Sequence, residues 1–296
     1  MTNRGPDTPL TRDERREHAR EQARILREQQ KKRQRRNRIF LQGGIGLAVV
    51  AIIAIVALVL VNNQHAVVAA STNAAGPKNM VSDGILLQGS GGVVTAVPTA
   101  ALKANQTPVA TDQAKFPKTA NIVEYIDFQC PYCGDFETTN EDQIASWVAA
   151  GTATVEIHPI AILDLSSQTN KYSTRSANAA ACVANYQPDV FLAMSKALYA
   201  NQPAEGTAGM SDDKLLSILK GAGVTDSHID TCVRSQQFSK WVTAATARAQ
   251  LGNFPNSDVT TFKGTPTVIV NKQSYPGSIT DAAAFKAFVN SKSPVG

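Results

Sequence analysis

Cysteine is scarce in this sequence, and the motifs of several common enzyme classes are missing. Four cysteines in 296 residues are too few for a small domain held together by disulfides. We find no P-loop, no dinucleotide-binding fingerprint, no G-x-S-x-G motif and no internal repeat. The apolar share of 43% is ordinary, which excludes a chain that is disordered throughout. The length predicts one sizeable domain with appendages, or two small domains.

Charged side chains are absent from residues 39–61 and abundant just before them. A helix of this length crosses a hydrocarbon core of about 30 Å, so we interpret residues 39–61 as a transmembrane signal anchor. Residues 1–38 hold 13 Lys and Arg against 6 Asp and Glu, whereas residues 39–296 hold 16 against 18. The bias of basic residues toward the cytoplasm makes residues 1–38 a cytoplasmic tail and puts the rest of the chain outside. The predicted location is a single-pass protein of the cell membrane.

Two alternatives to this topology remain open at the level of sequence. Small residues at 68–70 could follow a cleaved signal peptide, although a charged segment of 38 residues is long for the start of one. The basic tail could bind nucleic acid, but no aromatic residue lies among its charges. We therefore expect contact with anionic membrane lipid and no nucleic-acid partner.

Aromatic residues are nearly absent from residues 62–118, where Phe116 is the single one. Such a segment cannot form a core of its own, and we interpret most of it as an extracytoplasmic linker. Within it, Ile85–Leu87 and Val93–Val94 flank a glycine-rich stretch. This pattern predicts a hairpin that could extend the sheet of the following domain.

The globular part begins near residue 119 with a strand that leads into a C-x-x-C motif. Residues 122–128 are rich in β-branched and aromatic residues, which indicates a strand. Cys130-Pro131-Tyr132-Cys133 follows, and after it apolar residues recur at helical spacing until Gly151. Pro131 suits the first position of a helix, so Cys130 lies near its N-cap, where free N–H groups and the helix dipole stabilise a thiolate. Half of a zinc site is the alternative, but no second ligand pair is present. The motif therefore predicts a redox-active dithiol and no metal site.

Two segments of the sequence resemble known ones. Residues 124–133 (EYIDFQCPYC) resemble the active-site segment of DsbA-like thiol:disulfide oxidoreductases, and residues 263–271 (KGTPTVIVN) resemble their cis-proline segment. The resemblance covers about residues 119–296 and implies the α/β class, with a thioredoxin fold that carries a helical insertion at about residues 164–252. The residue pattern agrees with a second strand at 154–157, Ala-rich helices in 170–252, a strand at 268–271 and a last helix at 281–290.

The resemblance also implies roles for individual residues. Cys130 corresponds to the nucleophile and Cys133 to the resolving thiol, while Glu124 corresponds to a buried acid that handles the proton of Cys133. The pattern leaves a solvent-facing position of Glu124 as the alternative, although an acidic residue flanked by Val123 and Tyr125 in such a strand is unusual. The cis form of Pro266 rests on the resemblance alone, because the residue pattern by itself would favour the trans form, which is far commoner in general.

Three positions near the dithiol are implied to contact the substrate: Tyr132, Thr265 and Pro266. Tyr132 replaces the histidine of strongly oxidising relatives, and Thr265 also occurs in isomerase-type relatives, so the sequence leaves the direction of electron flow open. The resemblance implies no bound cofactor, exported proteins with reduced cysteines as substrates, and a quinone-linked membrane partner that reoxidises the pair.

The other two cysteines, Cys182 and Cys232, fall in the predicted insertion. In an oxidising compartment they most simply form a structural disulfide. Two buried free thiols or a second redox pair are the alternatives. We interpret His158 and His228 as ordinary surface residues, since no triad or metal pattern surrounds them.

Together these observations predict an extracytoplasmic thiol:disulfide oxidoreductase that introduces disulfides into exported proteins. A reductase or isomerase fed by a membrane electron donor is the alternative within the same reaction class. A tethered peptide-binding protein of chaperone type, without turnover, is the alternative from another class.

Overall fold

A computed structural model describes residues 74–252 and 254–293 of the chain. These residues belong to one compact unit. None of the helices they form is long and apolar enough to cross a membrane. The predicted cytoplasmic tail at 1–38 and signal anchor at 39–61 lie outside the described residues, as does the first part of the predicted linker.

The described residues form a mixed α/β domain, in agreement with the predicted fold class. Its strands are β1 (Ile85–Ser90), β2 (Val93–Ala96), β3 (Ala120–Ile126), β4 (Ala153–Pro159), β5 (Thr267–Val270) and β6 (Gln273–Ser274). Its helices are α1 (Pro131–Ala149), α2 (Tyr172–Tyr186), α3 (Phe191–Ala200), α4 (Asp212–Gly221), α5 (His228–Arg234), α6 (Ser239–Gln250) and α7 (Ala282–Lys292).

The strands form one sheet in the order β2-β1-β4-β3-β5-β6. Strands β3 and β4 are parallel and are joined by α1, as a parallel pair requires a crossover connection. Strands β1 and β5 pair antiparallel with β4 and β3, respectively. Every residue of β3 is buried, because elements cover both faces of the sheet. The strands predicted at 122–128, 154–157 and 268–271 are confirmed to within two residues.

The predicted hairpin is also confirmed. Gly91 and Gly92 connect β1 to β2 with φ values of 62° and 87°, the left-handed conformation that a two-residue hairpin turn requires. Strand β1 then pairs with β4 through Ile85–Leu87, so the hairpin extends the sheet.

The predicted linker is shorter than the sequence suggested. Met80, Ile85 and Leu102 are fully buried against the domain, and Asp83 pairs with Arg248 of α6 at 2.6 Å. The described part of this segment has no separate core, as its composition predicts. Its scattered apolar side chains instead fill gaps in a core that other elements supply.

Five helices, α2 to α6, lie between β4 and β5 and form the predicted insertion. In this insertion the structure joins Cys182 of α2 to Cys232 of α5 by a disulfide. Trp241 and Phe191 are fully buried in the same core.

The two faces of the sheet differ in chemistry. In the register of β3 against β4, Glu124 lies beside Ile157, whereas Tyr125 lies beside His158. Alternation along the strands therefore puts Glu124 on the opposite face from Tyr125. The α1 face carries Glu124, and the face of Tyr125 packs against Phe254 at the end of the insertion.

Candidate dithiol site

The C-x-x-C motif lies where β3 ends and α1 begins. Cys130 is the N-cap of α1, with extended backbone angles, and Pro131 occupies the first turn. The Cys130 N–H donates to the carbonyl of Asp127 at 2.9 Å, and its own carbonyl accepts from the Gly134 N–H at 3.1 Å. Pro131 lacks an N–H, but none is needed at this position of a helix. The turn therefore fixes Cys130 against the positive end of α1.

Both cysteines are free thiols with different surroundings. Cys130 retains 4% of its surface and Cys133 none, whereas the side chain between them, Tyr132, is 64% exposed. An incoming thiol therefore meets the sulfur of Cys130 and the ring of Tyr132, and it cannot reach Cys133 directly.

The pKa of Cys130 is lowered to about 7. The largest cause is the hydrogen bond from the Cys133 thiol, which burial partly offsets; the side chain of Thr265 and the N–H of Cys133 lower it further. The thiolate of Cys130, the form that reacts with disulfides, is therefore more accessible near neutral pH than that of an ordinary cysteine.

Cys133 shows the opposite behaviour. Its pKa is raised, mainly because the thiol is buried, and the neighbouring Cys130 raises it further. The pair therefore holds one proton in a defined place, with Cys130 as the nucleophile and Cys133 as the proton-bearing thiol.

The segment predicted to carry the cis proline lies against the nucleophile. The Thr265–Pro266 peptide bond is cis, and the Cys130 thiol donates to the Thr265 carbonyl at 3.3 Å. These residues are 135 positions apart in the sequence, and the pairing of β5 with β3 brings them together.

Glu124 is buried on the α1 face of β3, with 1% of its surface exposed. Burial raises its pKa to about 7, and a hydrogen bond with Glu137 limits the rise. Burial and the charge of Glu124 likewise raise the pKa of Glu137. Two carboxyl groups can share a hydrogen bond only if one of them is protonated, so this pair holds a proton inside the domain.

Glu137 is a site residue that the sequence argument missed. It follows Cys133 by four positions, so both lie on one face of α1. The same face of the helix continues to Ile144 and Val148, which lie two and three turns beyond Glu137 and are buried. An acidic residue on the apolar stripe of the helix is the signal that could have identified it.

Asp127 was also missed, although it is fully buried beside the nucleophile. One carboxylate oxygen accepts from the Gln129 N–H at 2.9 Å, while the other accepts from Ile162 at 2.8 Å and Leu163 at 3.0 Å. Burial raises its pKa to about 6, and these hydrogen bonds limit the rise. Its sequence signal is the tendency of Asp to close a turn on the N–H two residues ahead.

Side chains of the helical insertion donate hydrogen bonds to the turn that carries Cys130. The Gln202 amide donates to the carbonyls of Phe128 and Cys130 at 3.1 and 2.9 Å, and the hydroxyl of Tyr199 donates to the Asp127 carbonyl at 3.4 Å. No pattern in the sequence indicates these partners, because they lie some 70 residues downstream.

His158 is not the surface residue that we expected. It is 3% exposed, stacks on Tyr125 at a centroid distance of 4.3 Å, and its Nε2 lies 3.4 Å from Glu156 Oε1. The segment around residue 82 explains the difference, because it packs against this part of β4. Ser82 of that segment donates to Glu156. Among residues 74–252 and 254–293, no group of three metal-binding side chains forms.

Comparisons with known proteins agree with this geometry. A family model described as thioredoxin matches residues 117–291, more than half of the chain. Reduced DsbA from Mycobacterium tuberculosis is 27% identical, with a TM-score of 0.54 over 71% of this chain and 92% of that one. The reduced disulfide bond oxidoreductase DsbG from the same organism is 28% identical, with a TM-score of 0.52 over 70% of this chain and 86% of that one.

One curated relative is much longer than this chain. The serine/threonine-protein kinase PknE of Mycobacterium tuberculosis is 29% identical over 150 residues, which make up 49% of this chain and 26% of the kinase. The match thus spans about a quarter of that relative's length.

Proposed function

This chain belongs to the thioredoxin family, and from that membership and its dithiol we propose that it is a DsbA-like thiol:disulfide oxidoreductase. The observation that carries the proposal is Cys130, a thiol of lowered pKa at a helix N-terminus, in contact with the Thr265 carbonyl. The similar chains DsbA and DsbG are named for the same chemistry.

The oxidising reaction follows from the difference between the two thiols. A substrate thiolate attacks the sulfur of Cys130 in the oxidised site, the Cys130–Cys133 bond breaks, and its electron pair leaves on Cys133. Because Cys133 is buried, it takes a proton, for which the Glu124–Glu137 pair is the source inside the domain. A second substrate thiolate then attacks the substrate sulfur and releases Cys130 as a thiolate. The substrate loses two electrons and the site gains them.

The oxidising direction is part of the proposal. A lowered pKa of Cys130 stabilises the reduced site at neutral pH, which makes its disulfide the better oxidant. Tyr132 at the middle of the motif adds no positive charge, in contrast to the histidine of strongly oxidising relatives. Thr265, which the resemblance also places in isomerase-type relatives, keeps the reductase or isomerase as the alternative.

We further propose that the domain acts outside the cytoplasm, tethered by the charge-free segment at 39–61. The disulfide between Cys182 and Cys232 supports this, because such bonds persist in oxidising compartments. Exported proteins with reduced cysteines are the proposed substrates. A quinone-linked membrane protein is the proposed partner that reoxidises the site.

The test uses the full-length chain in detergent with a reduced, unfolded ribonuclease as substrate. The oxidised chain should restore ribonuclease activity, and Cys130→Ser should abolish this. Cys133→Ser, first converted to the mixed disulfide of Cys130 with glutathione, should accumulate a mixed disulfide with ribonuclease as a substrate thiolate displaces the glutathione thiolate. Ser146→Ala, at an exposed serine of α1, is the control and should leave the activity unchanged. Equal reactivation by the wild type and Cys130→Ser would contradict the proposal, and no reactivation by the oxidised wild type would favour a binding protein.

A further inference from the structure

The side-chain amide of Gln202 lies against the turn that carries the nucleophile. Gln202 follows the end of α3 by two residues, and its backbone N–H donates to the Tyr199 carbonyl at 3.0 Å. Its amide nitrogen donates to the carbonyls of Phe128 and Cys130 at 3.1 and 2.9 Å. An amide carries two N–H groups, so one side chain binds both carbonyls at once. The insertion thus holds the backbone on both sides of Gln129.

Close packing against Gly134 keeps this amide in place. Gly134 is buried near the start of α1, and a Cβ atom there would collide with Gln202 Oε1. The Gly134 N–H also donates to the Cys130 carbonyl, at 3.1 Å. This carbonyl oxygen has two lone pairs and accepts from the helix and from Gln202. Two donors from different elements therefore fix the orientation of the Cys130 peptide group.

The backbone conformation of Cys130 decides which groups its sulfur meets. Cys130 is the N-cap of α1, with φ −72° and ψ 117°, a conformation that turns a side chain back toward the free N–H groups of the first helical turn. The N–H of Cys133 is one of the groups that lower the pKa of Cys130. In the same conformation the thiol reaches the Thr265 carbonyl at 3.3 Å. A rotation of the Cys130 peptide group would carry the sulfur away from both partners.

We propose that Gln202 is a positioning residue, whose amide holds Cys130 in the N-cap conformation and thereby stabilises the thiolate of the reduced site. The inference rests on the proposed thiol–disulfide chemistry and assigns a part of it to the insertion. Gln202 donates to backbone carbonyls and not to sulfur, so it acts through the turn. A less stable thiolate makes the reduced site less stable and its disulfide a weaker oxidant.

Other contacts keep the insertion attached to this turn when the Gln202 amide is removed. The Tyr199 hydroxyl donates to the Asp127 carbonyl at 3.4 Å. The Tyr199 ring packs on Phe128 at a centroid distance of 5.2 Å. Loss of the amide should therefore free one peptide group without detaching the insertion from the sheet.

The experiment uses the full-length chain in detergent and measures two properties of the site. Thiolate absorbance at 240 nm against pH gives the pKa of Cys130, and equilibration with glutathione gives the stability of the disulfide. Gln202→Met keeps the length of the side chain but removes both donors. It should raise the pKa of Cys130 and shift the glutathione equilibrium about three- to tenfold toward the disulfide, the effect of one or two modest hydrogen bonds.

Gly134→Ala tests the same contact without changing Gln202. The added Cβ should push the amide away from the two carbonyls, while the backbone N–H of residue 134 remains. Both measurements should shift in the same direction as in Gln202→Met. The double variant should shift them no further than Gln202→Met alone, because the two changes remove the same hydrogen bonds.

Gln187→Met is the matched control for a purely structural effect. The Gln187 amide also joins backbone segments of the insertion, since it donates to the Gly223 carbonyl at 3.0 Å and accepts from the Thr225 N–H at 2.8 Å. Its loss should lower the melting temperature and leave the pKa of Cys130 and the glutathione equilibrium unchanged.

Unchanged values of both properties in Gln202→Met would overturn the inference, as would shifts of equal size in Gln187→Met. If Gln202→Met does not fold, Gly134→Ala decides by the same criteria. Additive shifts in the double variant would also contradict the shared contact. Both measurements report on the dithiol itself and do not require the chain to oxidise a protein, so their outcome is independent of the ribonuclease test.

Discussion

Asp127 connects the nucleophile to the insertion at the level of single atoms. Its carboxylate accepts N–H groups from two segments, the turn at Gln129 and the loop at Ile162 and Leu163. Its carbonyl accepts from the Cys130 N–H and from the Tyr199 hydroxyl. The carboxylate also raises the pKa of Cys130, so one residue both holds the thiol in place and limits its acidity.

Replacing Asp127 should therefore have two separate effects, one on the stability of the fold and one on the pKa of Cys130. Asp127→Asn retains one acceptor oxygen and turns an amide N–H toward a backbone N–H, so the free energy of unfolding should fall by about 1–3 kcal/mol. Loss of the negative charge should lower the pKa of Cys130. Urea denaturation measures the first effect, and thiolate absorbance at 240 nm against pH measures the second. Asp135→Asn, an exposed acid of α1, should change neither; a Cys130 pKa that rises in Asp127→Asn would refute the assignment.

Among the elements, the β1–β2 hairpin packs with its backbone directly against the C-terminal end of α1. Gly89 of β1 lies directly against the end of α1, where a Cβ atom would come within 2.8 Å of Ala149 Cα and also collide with the Val148 carbonyl. The Gly92 N–H donates to the Ala149 carbonyl at 3.2 Å. The hairpin is thus fixed to both β4 and α1.

Adding one methyl group at this position should loosen the hairpin. Gly89→Ala should lower the free energy of unfolding by about 1–3 kcal/mol, the usual cost of overpacking. Gly221→Ala is the control, because a Cβ there meets nothing within 4 Å and alanine is the better helix former. Thermal unfolding of both variants measures the difference. Equal melting temperatures for the two would contradict the close packing of β1 on α1.

For the whole molecule, the buried acids make stability depend on pH. The pKa of Glu124 rises from its ordinary 4.5 to about 7 in the folded chain. Between these values the folded chain keeps a proton that the unfolded chain has lost. Unfolding then releases a proton, so the contribution of Glu124 to stability declines as pH rises from 4.5 to 7.

Removing this carboxyl group should flatten the profile. A shift of this size corresponds to at most roughly 3 kcal/mol, so Glu124→Gln should stabilise the chain at pH 7 relative to the wild type and much less at pH 4.5. Glu137 should retain part of the slope, because burial raises its pKa too. Denaturant titrations at several pH values measure this, with the exposed Glu205→Gln as the control. A wild-type profile that rises between pH 5 and 7 would exclude the assigned burial.

The sequence by itself determined the local features of this protein. Strand β3, the helix that starts at Pro131 and the Gly91-Gly92 hairpin follow from the period of apolar residues and from the backbone preferences of Pro and Gly, which act over a few residues. The Cys130–Cys133 motif at the start of a helix is local for the same reason.

Only the tertiary structure decided which distant groups meet. Burial of Met80 and Leu102 on the domain, the contact of Cys130 with the Thr265 carbonyl and the Glu124–Glu137 pair each join residues of different elements. Each depends on how helices pack on the sheet, and composition and spacing carry no record of that packing. The acidity of Cys130 and the high pKa of Cys133 likewise arise from burial and hydrogen bonds that exist only once the chain is folded.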